Sequence, residues 1–349
     1  MKKDLEKLTR PNIQELKPYS SAREQYIGED YVFMDANENP YGKTMNRYPD
    51  PLQRDLKKML AEKENLSEDQ VFIGNGSDEI FDLVVRAFCS PGKDNIVVTE
   101  PSYGMYEVTG KINEVEVRKA PLGDEFELQP EMMLNEVDEN TKIIVICSPN
   151  NPSGNTMDPG KIRYILQAFA GLVVLDEAYI EFTGQRGFIE ELSVFPNLFI
   201  LQTMSKAWGM AGVRIGKAFA DVRILRILNK IKYPYNISRL NLRAGMKGLK
   251  REKTMKRKVR SIMLQREWLA RQLESFSFVQ KVYPSQANFL LLKVEDPLAL
   301  ILFLRQRKII IRDRSNLKGC DQCIRISIGS DRQNKQLVKA LQIFERRMI

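Results

Sequence analysis

Leu172-Val173-Val174-Leu175-Asp176-Glu177-Ala178-Tyr179 sets four apolar residues directly before an acidic pair and a tyrosine. The apolar run has strand length, yet it lacks the polar alternation of a strand with one face in water. Asn95-Ile96-Val97-Val98-Thr99 and the runs 142–147 and 198–201 share this texture. Strands buried on both faces read this way, and they predict a mainly parallel sheet covered by helices. Amphipathic stretches lie between the runs. One spans 77–88 and opens with Ser77-Asp78-Glu79, where a small polar side chain can cap orphan backbone N–H groups; Pro91-Gly92 closes it. Residues 35–240 thus read as one large α/β domain.

Beyond residue 240 the texture changes. A long basic amphipathic segment reaches about residue 273, followed by candidate strands at 278–283, 289–294, 308–312 and 324–328. Helices are expected over 296–307, with Pro297 just inside its start, and over 332–347. These elements predict a smaller α+β domain over 241–349, with no internal repeat. Residues 1–34 have weak periodicity and are expected to form an N-terminal arm packing with that small domain.

A length of 349 residues suits about two domains. With 43% hydrophobic and 28% charged residues, the chain is neither disordered nor collagen-like. Its net charge is +9, and much of the excess sits in 250–258, the expected solvated face of a helix. No aromatic-interleaved basic motif accompanies the charge, so nucleic acid is not an expected partner. Attraction of small phosphorylated or carboxylated ligands is the expected use. Histidine is absent, which removes His-based triads and HExxH zinc sites and leaves Lys, Asp, Glu, Tyr or Cys as general bases. Cys320 and Cys323 form a C-x2-C without a second pair, so reduced thiols and no metal site are expected. No apolar run has membrane-spanning length and the charged N-terminus lacks a signal region, so a cytoplasmic protein is expected.

Three polar clusters follow expected buried strands: Asn150-Asn151-Pro152-Ser153-Gly154, Asp176-Glu177-Ala178-Tyr179, and Thr203-Met204-Ser205-Lys206-Ala207. Open α/β sheets place ligand sites there, beyond the carboxyl ends of strands. Singly, each has an ordinary explanation: a turn, a helix cap, a solvated lysine. Together with Arg214 in Gly212-Val213-Arg214-Ile215-Gly216, their order and spacing resemble the fold-type I pyridoxal-phosphate (PLP) aminotransferases. The resemblance covers nearly the whole chain. Further matches are Asn37-Glu38-Asn39-Pro40-Tyr41-Gly42, Arg47-Tyr48-Pro49, Gly74-Asn75-Gly76-Ser77-Asp78-Glu79, Pro101-Ser102-Tyr103-Gly104-Met105-Tyr106, Ile311-Arg312-Asp313 and Ile324-Arg325-Ile326-Ser327-Ile328-Gly329. Within that fold the set is similar to the histidinol-phosphate aminotransferases.

The resemblance implies a large domain with a mainly parallel seven-stranded sheet, a smaller α+β domain, and pyridoxal 5'-phosphate as cofactor. It implies Lys206 as the amine that holds PLP as a Schiff base and then moves the substrate proton. Asp176 would keep the pyridine nitrogen protonated. Asn151 and Tyr179 match the partners of the ring's phenolic oxygen, and Tyr103 matches the aromatic stacked on the ring. Gly76, Ser77, Asp78, Ser205 and Arg214 match the phosphate holders. Tyr48 matches a residue contributed by the neighbouring subunit, which implies a homodimer with shared active sites. Arg325 and Arg312 match receivers of the substrate's anionic end, with Tyr19 and Asn288 as further pocket candidates. The implied reaction interconverts histidinol phosphate and 2-oxoglutarate with imidazole-acetol phosphate and glutamate, in histidine biosynthesis. A threonine-phosphate decarboxylase or an aromatic aminotransferase would share the fold. A catalytically idle, basic binding protein is the reading from another class.

Overall fold

The computed structural model describes residues 5–19, 23, 31–42 and 45–348. The larger sheet has seven strands: β1 (Val71–Asn75), β2 (Asn95–Glu100), β3 (Glu116–Pro121), β4 (Thr141–Cys147), β5 (Leu172–Asp176), β6 (Leu198–Thr203) and β7 (Ile215–Ala220). Their spatial order is β1-β7-β6-β5-β4-β2-β3. Strands β2 to β6 run parallel, while β7 is antiparallel to both β6 and β1.

The side-chain period of two sends alternate residues to opposite faces. Val173 and Leu175 enter one hydrophobic core, with Leu56 and Leu60 of the Arg54–Glu64 helix. Leu172 and Val174 enter the other, with Leu83 and Val84 of the Ser77–Phe88 helix and Leu228 of the Val222–Ile231 helix. Every residue of β5 and β6 is buried, so both faces need apolar residues. At the sheet's edge, β3 is mostly polar and partly exposed.

The smaller sheet is antiparallel, in the order β10-β11-β9-β8, from β8 (Val279–Val282), β9 (Phe289–Val294), β10 (Arg312–Asp313) and β11 (Cys323–Ser327). Leu269, Leu292, Leu304, Ile324 and Leu341 belong to its own core. The expected division at 240/241 falls inside the Arg239–Leu249 helix. That helix packs on the larger unit, because Gly245 brings its backbone against Ile215 and Leu56. The passage between units runs instead along the Glu252–Glu274 helix, whose Met255 and Val259 join the larger core and whose Leu269 and Leu273 join the smaller.

Two further expectations need correction. The N-terminal arm, where described, packs on the large unit rather than the small one. Leu8 and Ile13 lie against the core that holds Leu228, Arg10 N donates to Ala87 O at 3.1 Å, and Lys230 Nζ donates to Gln14 O at 3.0 Å. Residues 20–22 and 24–30 of the arm lie outside the described residues. The strand expected over 308–312 is reduced to Arg312–Asp313. Lys308 takes a left-handed conformation and Ile309 N closes on Leu304 O, so the chain spends these residues leaving the preceding helix.

One contact sets where the β1 turn sits. A Cβ on Gly216 would stand 2.4 Å from the carbonyl carbon of Gly76 and 2.5 Å from Ser77 N. Only a bare backbone on β7 admits this approach. Gly216→Ala should therefore lower the unfolding free energy by about 1–3 kcal/mol, the usual range for overpacking, as measured by urea denaturation. Unchanged stability would mean that the turn yields freely.

Candidate active site

The carboxyl ends of β1, β2, β4, β5 and β6 come together at one edge of the larger sheet, where antiparallel β7 begins. A cavity of about 240 Å³ opens there, lined by Ser77, Asp78, Tyr103, Asn151, Asp176, Tyr179, Ser205, Lys206, Arg214 and Arg325, with Cys147, Ala178, Thr203 and Arg314.

Asp176 is the last residue of β5 and only 4% exposed. Its Oδ2 accepts from the Tyr106 hydroxyl at 2.6 Å and its Oδ1 from Ala178 N at 2.9 Å. Both donors are neutral, so they satisfy the oxygens without cancelling the charge. Burial pushes the carboxyl up to about 6, against the downward pull of those two hydrogen bonds. Such a group suits a cationic partner.

Asn151 follows β4 in a turn fixed by its buried neighbour. Asn150 Nδ2 donates to Pro101 O at 3.1 Å and to Ser153 Oγ at 2.8 Å, and Ser102 Oγ donates to Asn150 Oδ1 at 3.1 Å. Arg325 Nη1 donates to Asn151 Oδ1 at 2.5 Å, which leaves the amide nitrogen as a donor, 3.5 Å from the Tyr179 hydroxyl. The Tyr179 ring meets Phe289 edge-on at 5.2 Å. Lys206 Nζ lies 5.6 Å from the centre of that Tyr179 ring. Burial, then the Arg325 guanidinium, pulls the Lys206 amine below its ordinary value, while Asp176 and Asp78 pull the other way.

At the β1 turn, Gly76 has φ +84° and Ser77 opens a 12-residue helix without a side-chain cap. The Arg214 guanidinium packs where a Gly76 side chain would be. Glu79 fixes the turn by accepting from Asn75 N at 2.5 Å and Asn236 Nδ2 at 2.9 Å. Asp78 accepts from the Tyr103 hydroxyl at 3.3 Å and lies 3.9 Å from Arg214. Its carboxylate thus orients two neighbours, leaving the backbone amides and Arg214 as donors to an anion.

Ten of the residues singled out from sequence line the cavity, and Gly76 adjoins it through Arg214. Tyr48 does not line it: its half-exposed ring stacks on Tyr235 at 4.3 Å. Arg312 stands opposite Arg325 in the β10–β11 ladder but is exposed at the side of the site. Tyr19 is 72% exposed, and half-buried Asn288 caps the smaller sheet by accepting from Ile328 N at 2.9 Å; neither lines the cavity. Sequence reading missed Tyr106 and Arg314. Tyr106 ends the matched stretch 101–106, but nothing local ties this helical residue to Asp176, 70 positions away. Arg314 had one: it follows Arg312 by two, the spacing of a shared strand face.

The raised Asp176 fixes the sign of a pH effect. Its folded-state value lies above the ordinary carboxylate value near 4, so between the two the folded chain binds more protons. Stability from this group therefore falls as pH rises from about 4 to about 6. In protein without added ligand, Asp176→Asn should remove this slope and be more stable at pH 7 by about 2–3 kcal/mol. Buried Glu177, pushed up to about 7, keeps a slope in both proteins, so the difference between denaturation curves is the readout. Parallel curves would exclude a charged, uncompensated Asp176.

The model for aminotransferase class I and II matches residues 32–341. A histidinol-phosphate aminotransferase of Parabacteroides distasonis is 50% identical over 340 residues, 97% of this chain and 99% of that protein. Among solved structures, the histidinol-phosphate aminotransferase from Clostridium acetobutylicum superposes with a TM-score of 0.81 at 27% identity, covering 89% of this chain and 98% of that one. The Sinorhizobium meliloti histidinol-phosphate aminotransferase, solved in complex with pyridoxal-5'-phosphate, gives 0.78 at 27% identity over 90% of each chain. The family model spans most of the chain and the Parabacteroides relative nearly all of it, so the chain belongs to the class I and II aminotransferases, in the histidinol-phosphate aminotransferase family.

Proposed function

We propose that this chain is a PLP-dependent transaminase acting between histidinol phosphate and 2-oxoglutarate, with imidazole-acetol phosphate and glutamate as the other pair, in histidine biosynthesis. The carrying observation is the convergence of Lys206, Asp176 and Arg325 on one cavity. The residues fit the cofactor: a buried carboxylate with only neutral donors suits a protonated ring nitrogen, and Arg214 against Gly76 with the helix start at Ser77 suits a phosphate. When bound, PLP supplies a carbonyl carbon for the amino group and a ring that takes up electrons.

Lys206 Nζ would hold the cofactor and, once freed, move the proton at the amine-bearing carbon of the substrate. Its lowered pKa raises the share of neutral amine able to take that proton. Asp176 would hold the ring nitrogen's proton. Asn151 Nδ2 and Tyr179 would donate to the phenolic oxygen, Tyr103 would cover the ring, and Gly76, Ser77, Asp78 (through its backbone), Ser205 and Arg214 would hold the phosphate. Arg325, with Arg312, would receive phosphate in one half-reaction and carboxylate in the other, with Tyr19 and Asn288 as outer candidates. Tyr48 would serve the partner's cavity in a homodimer, a role supported by its half-exposed position outside its own. A cytoplasmic setting accords with a biosynthetic role, and among the described residues no helix is long and apolar enough to cross a membrane. The names of the full-length relatives favour this substrate over threonine phosphate or an aromatic amino acid. The intact site favours an enzyme over an idle binding protein.

Holoenzyme should form glutamate from histidinol phosphate and 2-oxoglutarate, with unphosphorylated histidinol a poor donor; equal rates for the two would sink the substrate assignment. Lys206→Ala should abolish turnover while the chain still folds, and borohydride reduction of the natural holoenzyme should attach the cofactor to Lys206 by mass spectrometry. A label on another lysine would overturn its role. Mixing Tyr48→Phe with Lys206→Ala subunits should restore activity above either parent, through hybrid dimers with one intact site. No gain on mixing would contradict a shared site.

A further inference from the structure

Arg314 lies in the cavity wall beside Arg325. Arg312 pairs with Arg325 across the β10–β11 ladder, and Arg314 N donates to Cys323 O at 2.9 Å, extending that pairing. Residues two apart on a strand share a face, so Arg314 and Arg325 stand on the same side of the smaller sheet. The Nε groups of both are buried and have no hydrogen-bond partner. The acids of the cavity are engaged elsewhere: Asp176 by Tyr106 and Ala178, Asp78 by Tyr103 and Arg214. Two half-buried guanidiniums therefore meet without a counter-charge, and burial, Arg325 and Arg312 all push the Arg314 value down. A buried donor left unpaired is costly, and so is an uncompensated charge. Both costs fall when an anion enters.

We propose that Arg314 is a specificity-determining residue that favours a dianionic phosphate end over a carboxylate, an inference that rests on the phosphorylated-amine reading above. A carboxylate has two oxygens and one charge, which a single guanidinium fork satisfies. A phosphate monoester has three free oxygens and close to two charges at neutral pH, enough for two forks. Arg325 serves both substrates, whereas Arg314 adds its donors chiefly when the bound end is phosphate.

The test measures the two half-reactions of the holoenzyme separately, by single-turnover absorbance. Arg314→Gln should lower kcat/KM for histidinol phosphate about tenfold to hundredfold, the worth of a charge-assisted hydrogen bond, and leave the glutamate half-reaction within about threefold. Arg325→Gln should impair both. Phosphate monoesters become dianions near pH 6, so natural kcat/KM for histidinol phosphate should rise from pH 5.5 to 7, and Arg314→Gln should flatten that rise. Arg314→Lys, which keeps charge but loses the fork, should fall between the natural enzyme and Arg314→Gln and serves if the glutamine variant does not fold. Equal losses in both half-reactions, or an unchanged reaction with histidinol phosphate, would overturn the proposal. Inorganic phosphate as a competitor of the glutamate half-reaction separates it from the substrate reading. If the natural enzyme ignores histidinol phosphate, that reading fails, yet a tenfold weaker phosphate inhibition in Arg314→Gln would still support Arg314. Unchanged inhibition would reject it.

Discussion

A carboxylate buried at the end of a central strand is the constraint from which the rest of the site follows. Asp176 cannot turn to water, because β5 has buried neighbours on both sides and cores on both faces. Its two oxygens are held by the Tyr106 hydroxyl and by Ala178 N. Tyr106 is itself pinned edge-on between Phe81 and Tyr103, at 5.2 and 5.6 Å. The acid, the ring above it and the helix beneath are therefore one packed unit, and Tyr103 is placed by the same contacts that keep Asp176 in position.

The loop that carries Lys206 is anchored to that unit from the other side. Trp208 Nε1 donates to Glu181 Oε1 at 2.9 Å, tying the segment after β6 to the segment after β5. Glu181 also lies 3.7 Å from Lys217, a lysine of β7 that is 2% exposed. Glu177 accepts from Gln202 Nε2 and Phe188 N at 2.9 and 2.8 Å. Buried charge of this kind adds little net stability, but removing one partner strands the other. The effect is to fix the loop's path, which hydrophobic packing alone would leave less specific.

Strands buried on both faces were legible because both cores demand apolar residues at every position, as in β4, β5 and β6. The Ser77–Phe88 helix was legible from its polar start and its Pro91-Gly92 exit. Strands β1, β3 and β7 were not singled out: β3 is a polar edge strand, and β7 contains Gly216 and Lys217, whose burial depends on Gly76 and Glu181 rather than on local pattern. The residues at strand ends could be chosen from sequence because the sheet brings its carboxyl ends together. Tyr106 could not, since its contact with Asp176 joins a helix to a distant strand. Arg312 was legible through the family resemblance, whereas Arg314, on the same face two positions later, lies beyond the end of a two-residue strand and reaches the cavity wall through pairing with a distant strand. The arm's docking on Ala87 and Lys230 likewise rests on contacts more than 70 residues apart.

The close meeting of Gly76 and Gly216 has a consequence for how this sequence can drift. One glycine leaves room for the Arg214 guanidinium, and the other leaves room for the turn that bears the first. A methyl group gained at Gly76 meets the Arg214 guanidinium, one gained at Gly216 meets the backbone of Gly76 and Ser77, and no smaller residue exists with which the opposite position could compensate. The two sites are therefore tied together in evolution: a side chain gained at either strains the same turn, and a change at the other cannot relieve it.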